Sequence, residues 1–160
     1  MPKIECKLTN RSIADAARAV QKYQKWVYTK EKELRLRLAT LGATVASIRF
    51  ARAIYSGSND VLVRVDDAGS TAVIYAEGEA VAFIEFGAGI TYGYGHPQAS
   101  EFGTGPGTYP GGKGHWDNPK GWWFGSGQHT YGNPPAMAMY DAVQEITKSV
   151  TEIAREVFRS

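Results

Sequence analysis

The chain has 160 residues, 43% hydrophobic and 21% charged, with a formal net charge of +2. That suffices for one domain with a buried core, and no apolar run approaches the roughly 20 residues of a membrane-crossing helix. The opening stretch MPKIECKLTN lacks the apolar core of a signal peptide, and the lone Cys6 excludes an internal disulfide. The expectation is a chain made and kept in a reducing cytosol, or built into something assembled there.

The small net charge hides an asymmetry. Residues 1–52 carry 12 Lys/Arg against 4 Asp/Glu, a balance of +8, and the remainder stands at −6. Such a division suits two unlike surfaces that meet in neighbouring copies. It also suits a basic face toward nucleic acid, or simply solvated helix faces.

Ser12 reads as a helix N-cap, with Asp15 placed to reach back to the free amides. Ile13, Ala16, Ala17, Val20 and Val27 then recur at helical spacing, which predicts a helix over 11–28. Thr29, followed by Glu31 and Glu33, looks like a fresh start, so a second helix is expected over 30–55. Its stripe is Leu34, Leu38, Leu41, Val45, Ile48 and Tyr55, and Gly42 inside it suggests close packing.

Gly57-Ser58-Asn59 ends the helical region. Alternating residues then predict strands over 60–66, 71–76 and 80–86, joined by turns at Asp67-Ala68-Gly69 and Glu77-Gly78. Short turns make this an antiparallel meander. After a long loop over 87–134, Asn133-Pro134-Pro135 signals a last helix over 135–158, with the stripe Tyr140, Val143, Ile146, Val150, Ile153 and Val157. The fold class expected is α+β, a small antiparallel sheet of three or more strands packed by helices.

Residues 87–135 hold 14 of the 18 glycines, 6 of the 7 prolines and all three histidines. So long a connection is expected to be functional or ordered by a partner. The strand expected before it runs into Glu85-Phe86-Gly87-Ala88-Gly89, nearly repeated at Glu101-Phe102-Gly103-Thr104-Gly105.

The order of these features, with Phe83-Ile84-Glu85-Phe86-Gly87-Ala88-Gly89 followed by Gly132-Asn133-Pro134-Pro135-Ala136-Met137-Ala138-Met139-Tyr140-Asp141-Ala142, resembles the putative tail-component family of long-tailed phages. The likeness runs from about Leu34 to the C-terminus. It departs in Ala88, where Thr is usual, in Ala138-Met139, where Pro-Phe is usual, and in the second EFGTG with its long loop. The resemblance implies a non-enzymatic virion protein of the neck or tail-completion region, assembled in the host cytoplasm. It implies a ring of identical copies, a hexamer to match a tail tube, bound to neighbouring neck and tail-tube proteins. It implies no cofactor and no membrane.

The residues themselves admit other chemistries. His96, His115 and His129, with Asp117 or Glu101, supply metal-ligand types, and a metal-dependent hydrolase would use Glu85, His96, His115 and Asp117, but the histidine spacing matches no compact metal motif. Glu85 has a structural use as well, accepting amides from the glycine turn or capping the final helix. Trp122 and Trp123 would suit a glycan-binding module. The aromatic residues read as interface anchors on a glycine-rich framework, and equally as a satellite core folded back under the loop: Phe86, Tyr92, Tyr94, Phe102, Tyr109, Trp116, Trp122, Trp123, Phe124 and Tyr131, beside Glu85, Gly87 and Gly89. Lys22, Lys25, Lys30 and Lys32 are candidates for weak contact with passing genomic DNA. The loop is expected to order when a ring forms, because fixing its backbone costs about 1–2 kcal/mol per residue.

Overall fold

The computed structural model describes residues 9–89, 95–102, 118–123 and 127–159. A single helix, α1, runs from Asn10 to Ala51, 42 residues and about 63 Å at the usual rise. The expected break near residue 29 does not occur. The Thr29 hydroxyl donates to the Lys25 carbonyl at 2.9 Å, so it is satisfied within the helix rather than starting a new one. Ion pairs one turn apart, Lys30 with Glu33, Glu31 with Arg35 and Glu33 with Arg37, carry the helix through the junction. The N-cap is Thr9, whose side chain accepts from the Ser12 amide, while Asp15 pairs with Arg18.

Two strands, β1 (Leu62–Asp67) and β2 (Ala72–Glu77), form an antiparallel hairpin in the register Leu62 to Glu77. The face carrying Val63, Ile74 and Ala76 is half-buried, whereas Leu62, Val73 and Tyr75 point outward. Arg35 of α1 ties the end of β1 to the helix, bonding Asp67 at 3.0 Å while also holding Glu31.

The third expected strand is instead a short helix, α2 (Val81–Phe86). Strand geometry sends consecutive side chains to opposite faces. Here Ile84 and Glu85 are neighbours and both are buried, which a helix permits and a one-sided strand does not. Asp60 also provides for the helix start, because its carboxylate accepts the amides of Glu79 at 2.7 Å and Ala80 at 3.0 Å. The meander is therefore a two-stranded hairpin. A second one pairs β3 (Trp122–Trp123) with β4 (His129–Thr130), inside the stretch expected to be loop.

The last helix, α3 (Ala138–Arg159), starts three residues later than the prolines suggest. It lies antiparallel to α1, as the pairs Arg49–Asp141 at 2.7 Å and Arg37–Glu156 at 3.4 Å require. The core gathers where α1, α2 and α3 meet: Ala46, Phe50, Ala80, Ile84, Ala138 and Ala142. The architecture is α+β, and among the described residues the strands form two small hairpins rather than one larger sheet. No helix among the described residues is long and apolar enough to cross a membrane.

At Gly42 both α3 and β2 press closely on α1. A Cβ there would lie 2.5 Å from Ile146 Cδ1 on α3 and 2.6 Å from Ile74 Cδ1 on β2. Both are terminal methyls that can turn aside. Overpacking of about 1–3 kcal/mol is partly offset by the roughly 1 kcal/mol that Ala gains over Gly in a helix. Gly42→Ala should therefore cost about 1 kcal/mol and Gly42→Leu about 3 kcal/mol, read from urea unfolding midpoints. Equal midpoints for Leu and Gly would show that the layers are not in contact here.

Candidate functional site

The two motif segments, some fifty residues apart in sequence, form one joint. The last carbonyls of a helix have no partner inside it, and in α2 they are met from outside. Phe83 O accepts from Asn133 Nδ2 at 2.8 Å, Ile84 O from the Ala136 amide at 2.8 Å, and Glu85 O from the Met137 amide at 3.3 Å. In return the Glu85 carboxylate accepts the first free amides of α3, Met139 at 3.0 Å and Tyr140 at 3.1 Å. Each helix end is thus completed by the other, and the negative charge sits at the N-terminus of α3, where the helix dipole favours it. Beside the joint, Ala88 and Asn133 exchange both backbone hydrogen bonds at 3.0 Å.

His96 closes the joint from the loop. It is 5% exposed, with Nε2 at 3.3 Å from Glu85 Oε1, and its Nδ1 accepts the Gln98 amide at 3.1 Å. That bond fixes the tautomer, leaving the proton on Nε2 to be donated to Glu85. Phe86 and Tyr140 pack on the imidazole at ring-centre distances of 4.5 and 5.7 Å. Both ring nitrogens are engaged within the chain. Among the described residues no three His, Cys, Asp or Glu side chains gather as metal ligands do.

Asp60 repeats the device at the other end of α2. Its carboxyl is held below the ordinary aspartate range, first by the Glu79 amide and then by that of Ala80. A depressed folded-state value stabilises the fold fully above the ordinary range, about pH 4–5, and the contribution is lost as pH falls through that depressed value. Asp60→Asn should lower the urea midpoint at neutral pH, and the gap to the parent chain should close in acid. A gap unchanged down to about pH 3 would show that the charge plays no part.

The sequence-derived interface residues separate into three groups. Glu85, Phe86, Gly87 and Gly89 belong to the joint, where the glycines press against Pro135 N and Tyr131 O. Trp122 is half-buried, whereas Phe102, Trp123 and Tyr131 are exposed, Trp123 at 70%. Trp123, His129 and Tyr131 form an aromatic column, with ring centres 4.8 and 4.9 Å apart. Tyr92, Tyr94, Tyr109, Trp116 and Phe124, together with His115 and Asp117, lie outside the described residues. Lys22, Lys25 and Lys32 are exposed on α1, and Lys30 is half-buried beside Glu33.

Two surfaces escaped the sequence reading. One is the outer face of the first hairpin, with Leu62 57% and Val73 48% exposed. The other is the N-terminal part of α1, which has no buried residue before Ala39 yet carries Ile13, Val20, Trp26 and Tyr28 in the open. A signal existed for the hairpin: Val61-Leu62-Val63 and Ala72-Val73-Ile74-Tyr75-Ala76 are apolar at both parities, the pattern of strands covered on both faces. No protein-family profile, curated protein or solved structure matches this chain, so what it does has to be argued from its own residues.

Proposed function

We propose that this chain is a structural, non-enzymatic virion protein of a phage or prophage, acting in head–tail neck assembly or tail completion as a ring of its own copies. A sixfold ring that meets neighbouring neck and tail-tube proteins, with DNA passing through it, is the form this takes. One observation carries the reading. The two segments on which the family resemblance rests, Glu85–Gly89 and Asn133–Ala138, are halves of a single joint whose buried polar groups satisfy one another. Motifs that converge on a shared structural task are better grounds for a family likeness than short glycine-rich strings alone. The same bonds engage the carboxylate and the imidazole that the hydrolase reading would need free. Exposed Trp123 and Tyr131 then serve as anchors for a neighbouring subunit.

The test is genetic. Deleting the gene from the phage or prophage genome that carries it should leave filled heads and separate tails, visible by electron microscopy, with infectivity restored by a plasmid copy. Infectious, fully joined particles without the protein would refute the proposal, as would a gene set among metabolic enzymes rather than capsid, connector and tail-tube genes.

A further inference from the structure

We infer that the N-terminal arm of α1 in one copy docks on the outer face of the β1–β2 hairpin of the next copy. This rests on the ring reading and names the surfaces that would build it. The arm comes first. α3 ends against it, with Phe158 packed edge-on to Trp26 at 5.9 Å, so residues 10–25 extend past the α3 terminus by about 24 Å at the usual helical rise. Ile13, Val20 and Val27 fall seven apart, in phase with Leu34 and Leu41 further along. The stripe that faces the core in the body therefore continues onto a segment with no buried residue.

The hairpin is the matching half. A two-stranded sheet is marginal by itself, and this one has α1 on its inner face and Leu62, Val73 and Tyr75 bare on the outer. Six-residue strands span about 20 Å, close to the length of the arm. Charge selects the pairing. Residues 10–28 carry Arg11, Arg18, Lys22 and Lys25 against Asp15 alone, whereas residues 60–79 carry five Asp/Glu against Arg64 alone. Two arms would repel each other. The exposed charges of α3 are of both signs, Glu152 and Glu156 against Lys148, Arg155 and Arg159. The arm cannot serve its own hairpin, because it belongs to one unbroken helix whose later turns already hold that hairpin's inner face through Arg35 and Asp67. Unlike patches on successive copies make a head-to-tail contact, which closes into a ring when the rotation allows.

Charge exchange on the full-length protein tests this, with sedimentation across a series of protein and salt concentrations as the readout. The parent chain should self-associate, less so as salt rises. Lys22→Glu with Lys25→Glu on the arm, or Asp66→Lys with Glu77→Lys on the hairpin, should each weaken association by about tenfold or more. An equal mixture of the two variants should recover it, since each arm then meets a hairpin of opposite sign. Recovery also shows that neither variant is misfolded. A parent chain that stays monomeric, swaps without effect, or a mixture that fails to recover would each overturn the inference. So would an arm variant that loses binding to duplex DNA or to anionic lipid vesicles while self-association is unchanged, since the arm would then serve a polyanion. The deletion phenotype fails independently: a gene required for head–tail joining whose product ignores both swaps would keep the function and lose this surface.

Discussion

Glu85→Ala should lower the unfolding free energy by about 3 kcal/mol, and Glu85→Gln by roughly half that amount. Glu85 is 5% exposed, and its side chain accepts the amides of Met139 and Tyr140 while facing His96 Nε2. Truncation leaves two helix-terminal donors and an imidazole N–H without their acceptor in a place water reaches poorly. Glutamine keeps one carbonyl oxygen, but its amide turns a donor toward other donors, and the favourable charge at the N-terminus of α3 is gone. Urea unfolding gives the magnitude, and amide exchange at Met139 and Tyr140 gives the location. An Ala variant within about 0.5 kcal/mol of the parent would mean that the joint is not what holds α3 to α2. Near-parent stability with lost particle function would instead restore a chemical role for this carboxylate.

Gly132→Ala should be as damaging, at about 3–4 kcal/mol. Gly132 has φ of 108°, and an added Cβ would fall 2.0 Å from the Ala88 carbonyl oxygen. That oxygen accepts the Asn133 amide, so neither backbone can retreat without opening the bridge. Gly69 supplies the control. It also has positive φ, 84°, but nothing lies within 4 Å of its would-be Cβ, so Gly69→Ala should cost only about 1 kcal/mol of backbone strain. The difference between the two variants isolates the steric part. Equal losses at Gly132 and Gly69 would show that the stem has room to spare.

Much of the helical stripes and of the first hairpin was readable because their periodicity comes from residues that face one neighbour consistently, although Ile48, Val143 and Val150 of the expected stripes are exposed. Leu34, Leu38 and Leu41, or Val63 against Ala76, have their burial decided within a few turns or a single strand pair. Residues 81–86 were not readable in this way. A short run with five apolar residues in six fits a covered strand and a buried helix equally. What decides for the helix is distant: Asp60 at its start, and Asn133 and Ala136 at its end. Thr29 misled for a related reason, since a hydroxyl that caps a helix can also bond back to the carbonyl four residues earlier. The capping role weighed for Glu85 was visible as chemistry, whereas its companion His96 was not, because no spacing rule links residues 85 and 96. The bare faces of the arm and hairpin needed coordinates, since sequence shows that a side chain is apolar but not that nothing lies against it.

The stem at Ala88 and Asn133 also bears on how such a chain can change over evolutionary time. Its two strands meet through paired backbone bonds, so the segment between them leaves and re-enters the body at one point. Loop closure penalties grow only logarithmically, by about 0.6 kcal/mol for each doubling of length. Length added between the two sides of the stem, away from the residues around His96 that pack on the joint, is therefore nearly decoupled from the stability of the helices beneath it. Selection can lengthen or exchange that remainder to suit a new neighbour, while His96 and the joint keep the frame unchanged.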